Sequence, residues 1–328
     1  MHAVVTPAYG PPSILSLREV AAPALGPHQV RVAVAASEVH AGDRRLRSAD
    51  FPGISAPIGR LVMGIFRPRR PIQGTMFSGR ITEVGAQVQR FAVGDAVFGA
   101  VDAGAWAEQL VIDADGAIAH RPSSHDDEHA AAVPYGAGTA LHFLVDLAEV
   151  QPGERVLIVG GSGGVGRFAI QVARHLGARV TAMGSADRLE QMRRLGAHEV
   201  LDHREVGLAD LRASGARYDV VFDIAGVTRF RDARPLLPDT GRYLTLTLSL
   251  HALFAMAGNA LRSGPRALFA VSLDDREGME RLAEWMFEGA LQPVVAHRFE
   301  LADAVSAHET AERRPAGSVV LLPVPRGK

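Results

Sequence analysis

The sequence predicts an α/β chain in which a doubly wound parallel sheet is inserted into a β-rich domain built from the two chain ends. Three observations carry this expectation. Residues 1–122 hold short apolar runs punctuated by glycine and proline, as a compact domain of short strands requires. From Arg155 onward, β-like runs alternate with helical spacing, the pattern of a parallel sheet covered by helices on both faces. The chain then closes on β-like pieces ending at Val319–Leu322, so its two ends are expected to share one domain, with a cleft against the insert.

Taken in order, Val30 to Ala35, Ser78 to Val84 and Ala96 to Phe98 are apolar runs of strand length, separated by Gly85 and by Gly94-Asp95. The pattern changes near Ser123, and Asp126 to Val145 is helical in character, broken at Pro134 and Gly136. Strands are expected at Arg155–Val159, Arg179–Met183, Glu199–Leu201 and Val220–Ile224. Helices are expected at Val165–Leu176, with Val165, Ala169, Val172 and Leu176 on one face, and at Leu189–Leu195. Tyr243 to Leu261 approaches the length of a membrane span, but its β-like opening and its Gly258-Asn259 pair predict a strand entering a buried helix. A last helix covers Arg276 to Glu288. The expected division is 1–122 and 269–328 for the β-rich domain and 123–268 for the insert.

Composition narrows the function classes. Of 328 residues, 47% are hydrophobic and 22% charged, and the net charge is -1, so nothing global points to nucleic acid as a partner. The chain has no cysteine, which removes thiolate metal sites, disulfides and a cysteine nucleophile together. No basic segment followed by a long apolar run opens the sequence, and a cytoplasmic protein without stable membrane insertion is expected.

The strongest local signal is the β-run Val156 to Val159 followed by Gly160 and then Gly161-Ser162-Gly163-Gly164-Val165-Gly166. A glycine fingerprint between a strand and a helix is the context of a dinucleotide site. Gly161 would make the tight turn, Gly163 would let backbone approach the pyrophosphate, and Gly166 would allow close helix packing. The helix N-terminus would offer N–H donors to the phosphates. At the end of the second strand the sequence reads Met183-Gly184-Ser185-Ala186-Asp187-Arg188, without the acid that usually takes the ribose hydroxyls. Ser185 and Arg188 suit a 2′-phosphate, so NADPH is the expected cofactor.

With that loop in place, the chain resembles the medium-chain dehydrogenase/reductase superfamily, and within it the zinc-free, zeta-crystallin-like quinone oxidoreductase branch. The residues that carry the resemblance run through the whole chain. They include Tyr9-Gly10-Pro11-Pro12, Val39-His40-Ala41-Gly42-Asp43, Phe91-Ala92-Val93-Gly94-Asp95 and Ala131-Ala132-Val133-Pro134. Leu195-Gly196-Ala197, Tyr218 to Asp223 and Gly317-Ser318-Val319-Val320-Leu321 complete the series. The resemblance implies a GroES-like catalytic domain, a Rossmann domain inserted into it, and a homodimer. It places Thr139 near the nicotinamide, Arg188 and His203 at the 2′-phosphate, and Ala225-Gly226 at the cofactor end of the fourth strand.

Zinc-using relatives place ligands where this chain has His40, Thr75 and Tyr135. One good ligand in three does not make a catalytic zinc site, so no metal is expected. His40 and Tyr135 are the candidates for polarising or protonating a substrate carbonyl, with Asp43 as a third polar group beside them. Zinc-free relatives usually carry an acid at Met76, asparagine or threonine at His40, and lysine at Ser318, so this pocket departs from its relatives. The expected reaction is hydride transfer from NADPH to a small hydrophobic quinone or α,β-unsaturated carbonyl. An enoyl reductase of a specialised pathway and a weakly catalytic NADPH-binding regulator stand as alternatives. Two apolar segments, Ile54 to Phe66 and Leu248 to Leu261, are candidates for shaping the substrate site or a dimer contact.

Overall fold

A computed structural model describes residues 1–51, 55–259, 263–270 and 274–323. Fifteen strands appear among them: β1 (His2–Val5), β2 (Ser16–Glu19), β3 (Gln29–Val39), β4 (Met76–Val84), β5 (Ala96–Ala100), β6 (Gln109–Asp113), β7 (Ile118–His120), β8 (Arg155–Val159), β9 (Arg179–Gly184), β10 (Glu199–Asp202), β11 (Val220–Asp223), β12 (Arg242–Thr245), β13 (Arg266–Phe269), β14 (Val295–Glu300) and β15 (Ser318–Leu322).

Strands β8 to β13 form one sheet in the order β10-β9-β8-β11-β12-β13, with every pairing parallel. This is the Rossmann arrangement. A parallel sheet is covered on both faces, which is why Val156 to Val159 and Val220 to Asp223 are buried without alternation. The order reverses between β8 and β11, and ligands of such sheets bind in the crevice beyond the strand ends at that switch point.

The second sheet is the GroES-like part. It runs β14-β15-β3-β4-β5-β7, with β6 pairing β3, so β15 lies antiparallel beside β3 and the chain's end completes the domain that its start began. β3 serves three partners, β4, β6 and β15, and irregularities in its pairing with β4 at Arg31/Val32 and Val34/Ala36 let it bend. It runs on to Val39, and His40 is therefore delivered at the end of a buried strand.

Two expectations need correction. The helix Leu250–Asn259 exists, but it is not buried: Leu250, Leu253 and Phe254 face outward and only Ala252 is fully covered. It lies along β13, where Asn259 both donates to and accepts from the Ala267 backbone, and Ala255 and Met256 pack on the cluster below. The segment after Pro134 is wider than an α-helix, with π-turns at Pro134–Gly138 and His142–Leu147 around a short α-turn. π-turns of this kind often mark functional positions.

The apolar segment before Phe66 forms the helix Ser55–Met63, whose far end presents Leu61 and Val62 to the outside, as the bend after it does Ile65 and Phe66. Ile54, the side chains as far as Ile58, and Leu261 lie outside the described residues. No helix among the described residues is long and apolar enough to cross a membrane.

Candidate active site and cofactor cleft

The glycine loop is built by close approach. Gly160 adopts φ +94, and the Gly160 and Gly161 N–H groups both donate to Met183 O on β9, at 3.0 and 2.8 Å. A Cβ on Gly166 would stand 2.1 Å from Gly160 O, so the helix Gly164–His175 seats against the strand end only because that side chain is absent. Gly163 and Gly164 are exposed. A Cβ on Gly163 would meet only Gly160 O, at 3.4 Å, and one on Gly164 would meet nothing within 4 Å. One side of the loop is thus closed by the protein and the other is open at a helix N-terminus, the shape a dinucleotide pyrophosphate needs.

The opposite wall of the switch point is the turn after β11. Asp223 is fully buried and accepts from Gly226 N, Val227 N, Thr228 N and Thr228 Oγ1, and from Tyr243 Oη. These bonds fix Ala225 and Gly226, the latter at φ +70, beside the loop: Ala225 N stands 3.1 Å from where a Gly160 Cβ would be. Burial and the Asp223 charge push the Tyr243 phenol up, so it remains a donor to that carboxylate. Sequence reasoning misses Asp223, because a buried acid at a strand end reads as ordinary core until its partners are known.

At the end of β9, Ser185 donates to the Asp187 carboxylate, which also takes Arg188 Nε at 2.9 Å. These two contacts hold the carboxyl of Asp187 below the usual range. Arg188 Nη2 reaches Arg314 O at 3.3 Å, and His203 places both its N–H and its Nδ1 on Gly184 O, at 3.0 and 2.8 Å. Ser185, Arg188 and His203 therefore cluster at one strand end, and Asp187 is engaged by its own neighbours.

The catalytic-domain side gathers His40, Asp43, Thr75 and Tyr135. The sequence His40-Ala41-Gly42-Asp43 folds as a capping box, in which Asp43 Oδ2 takes the His40 N–H at 2.9 Å. Gly42 N–H donates to His40 Nδ1 at 3.1 Å, so the ring proton sits on Nε2, which contacts Thr75 Oγ1 at 2.8 Å. Burial pulls His40 down to about 3, so it is neutral, and both of its nitrogens are engaged. Its ring stacks on Tyr135 with centroids 3.7 Å apart and planes 9° off parallel. Gly42 has no room for a side chain, since a Cβ there would lie 2.9 Å from His40 Cε1 and 3.2 Å from Tyr135 Cε2.

Tyr135 is half-buried, and burial pushes its hydroxyl up to about 12, so it stays protonated. The next residue joins this group to the cofactor loop. A Cβ on Gly136 would stand 3.0 Å from Gly164 O and 2.5 Å from Phe168, so the Tyr135 turn rests on the first turn of the cofactor helix. Thr139 Oγ1 donates to Tyr135 O at 2.7 Å and steadies that turn. Asp43 is fully buried, its carboxyl pushed well above its ordinary value by desolvation.

Two further charged residues lie behind this pocket. Glu38 is buried on β3, hydrogen-bonded to Ser318 on β15, and its carboxyl is raised by burial to about 7. Arg167, in the first turn of the cofactor helix, is within electrostatic reach of it. Neither carries a motif, and a charged residue beside a glycine loop reads as surface until its burial is seen.

Comparison with known proteins gives the same architecture. Residues 26–122 match the alcohol dehydrogenase GroES-like domain, and residues 195–321 match a zinc-binding dehydrogenase domain. The quinone oxidoreductase of Coxiella burnetii superposes over 99% of both chains with a TM-score of 0.84 at 26% identity. The chain is 34% identical over 285 residues to polyketide synthase GfsB of Streptomyces halstedii; this covers 81% of the chain but 5% of the synthase. A quinone oxidoreductase of Pseudomonas aeruginosa is 30% identical over 96% of this chain and 98% of its own. The chain belongs to the zinc-free, quinone oxidoreductase-like branch of the medium-chain dehydrogenase/reductase superfamily. It is thus an oxidoreductase of a pyridine-nucleotide-binding family.

Within this superfamily the zinc-binding description does not extend to the residues present here. The positions in question offer one imidazole, already engaged with Thr75, one hydroxyl and one phenol stacked on that imidazole. The chain has no cysteine, and among the described residues no group of three or more histidines or carboxylates could hold a metal ion. That donor set does not fit a catalytic zinc. Met76, where zinc-free members of the superfamily usually carry an acid, is buried at the start of β4 and adds no charge to the pocket.

Proposed function

We propose that the protein is an NADPH-dependent reductase that delivers hydride to a quinone or an α,β-unsaturated carbonyl without zinc. The observation that supports this reading is the abutment of the Tyr135 turn on the first turn of the helix that opens at the glycine loop, with the Tyr135 phenol protonated and stacked on His40. The loop Gly161 to Gly166 would hold the pyrophosphate, Ala225-Gly226 and Thr139 the nicotinamide end, and Ser185, Arg188 and His203 the 2′-phosphate. Bound there, the cofactor supplies the hydride. Tyr135 donates a hydrogen bond to the substrate oxygen, where negative charge develops. His40 holds the phenol ring by stacking, and Asp43 with Thr75 holds His40 in one tautomer. His40 and Asp43 thus act by orienting Tyr135.

Tyr135→Phe is expected to lower kcat by at least roughly tenfold, the low end for loss of a positioned donor, with the Kd for NADPH unchanged. Stopped-flow NADPH oxidation with a quinone and an enone measures this; an unaltered kcat removes Tyr135 from the mechanism. Arg188→Leu is expected to raise the KM for NADPH by roughly tenfold while leaving that for NADH alone, the cost of one charge-assisted contact. Equal effects on both cofactors would contradict the 2′-phosphate role.

A second reading is an enoyl reductase acting on an acyl chain, favoured by the likeness to a stretch of a polyketide synthase. A panel pairing quinones with enoyl thioesters separates the two. The parallel sheet ends on β13, whose outer edge has no strand partner among the described residues, and this supports a homodimer. The same reading implies a cytoplasmic enzyme acting on a small hydrophobic substrate.

A further inference from the structure

Arg167 occupies an unusual place. It is the fourth residue of the cofactor helix, its N–H donates to Gly163 O at 3.0 Å, and it is 5% exposed. Its carbonyl takes Gln171 Nε2 at 3.1 Å, and Gln171 Oε1 accepts from Gln292 N, so this face of the helix is closed by the returning C-terminal segment. Yet guanidinium atom Nη1 is buried with no hydrogen-bond partner among the described residues. A buried unsatisfied cation is costly and calls for a compensating charge.

Two charges reach it. One is Glu38, on the catalytic-domain side, and the other is Arg188, at the 2′-phosphate end of the crevice. Arg167 thus lies in the first turn of the helix that opens at the glycine loop, within electrostatic reach of both Glu38 and Arg188. Glu38 does not neutralise it fully, since its own Oε2 is buried without a partner and no ion pair joins it to Arg167 within 4.0 Å among the described residues. Ser318, where relatives usually carry a lysine, hydrogen-bonds Glu38 and brings no charge of its own.

We propose that Arg167 is the buried cation that holds the cofactor's bridging phosphates, and that Glu38 sets how much of its charge they experience. This rests on the dinucleotide reading above. The phosphates supply the negative charge that Arg167 lacks, and a field from a low-dielectric site acts on them even without direct contact. Glu38 acts through Arg167 and is a positioning residue. The charged and titratable groups around Glu38 are Arg167, Asp43 and Tyr135. Burial keeps Glu38 protonated below about pH 7. Above that pH it ionises, offsets Arg167 and repels phosphate, so cofactor binding should weaken as pH rises.

The test is a fluorescence titration of NADPH into the wild type, Arg167→Leu, Arg167→Lys and Glu38→Gln on either side of neutral pH. Arg167→Leu should raise Kd by at least roughly tenfold, the value of a charged contact, and Arg167→Lys should recover most of it. Adenosine 2′-phosphate, which has no bridging phosphates, should bind wild type and Arg167→Leu alike. The wild type should bind less tightly above neutral pH, and Glu38→Gln should abolish that dependence. An unchanged Kd in Arg167→Leu, or the same pH slope in Glu38→Gln, overturns the proposal. If Arg167→Leu does not fold, Glu38→Gln, which alters no shape, decides alone. Failure of the wild type to bind any nicotinamide nucleotide would instead overturn the functional reading beneath it.

Discussion

Arg47→Met is expected to destabilise the protein by about 3–5 kcal/mol, the cost of breaking a buried charge network from one side. Arg47 lies in the helix Ala41–Ser48, which His40 caps, and its side chain is 2% exposed. Its guanidinium donates to Gly10 O at 3.2 Å, to His308 Nδ1 at 3.0 Å and to Glu312 at 2.6 Å. Because an arginine only donates, His308 must accept at Nδ1 and stay neutral, and burial with the Arg47 charge pulls it down to about 3. The His308 ring then meets Trp106 edge-on, with centroids 4.6 Å apart. Methionine fills much of the volume but leaves the Gly10 carbonyl and His308 Nδ1 without a donor. The network joins the start of the chain to the helix Ala304–Glu312 near its end, so its loss loosens the domain that carries His40. Urea denaturation reads the effect directly. A loss under about 1 kcal/mol, the level of a surface ion pair, would show that the network contributes little.

The second large effect concerns the loop. Gly166→Ala is expected to lower nucleotide affinity by well over roughly tenfold and stability by about 1–3 kcal/mol, the range for forced overpacking. The new Cβ would meet Gly160 O at 2.1 Å and Gly161 Cα at 2.7 Å, all backbone, so the loop itself has to move. Gly164→Ala is the matched control. Nothing lies within 4 Å of its Cβ, so stability should hold, while the methyl group projects into the space where phosphates would sit. Calorimetry with NADPH and thermal unfolding of both variants separate the roles. Equal stability of the two would contradict the packing role of Gly166.

Much of this architecture is legible in the sequence because it depends on local period and spacing. Val156 to Val159 is an apolar run with no alternation, and only a strand covered on both faces tolerates that. The glycines that follow have consequences within a few residues, so their roles can be read in place. The return of the chain's end is legible in Gly317 to Leu321, although the pairing of β15 with β3 is not. What escapes the sequence depends on distance. Nothing near His40 indicates that a ring at Tyr135 stacks on it, or that Thr75 Oγ1 accepts a hydrogen bond from its Nε2. Asp223 resembles a core acid until five donors converge on it. Glu38, on β3, and Arg167, on the helix Gly164–His175, come within electrostatic reach only in the folded chain. The helix Leu250–Asn259 escapes for the opposite reason: apolar composition suggests burial, but packing against β13 uses one face and leaves Phe254 outside.

Hydride transfer from NADPH without a metal is the step on which the functional reading stands. Its most direct test treats the purified protein with a strong chelator, removes the chelator, and follows NADPH and NADH oxidation against a quinone and an enone. The expected result is NADPH-dependent turnover unchanged by that treatment, with NADPH preferred over NADH. Turnover that disappears on chelation and returns with zinc, or equal use of the two cofactors, would contradict it.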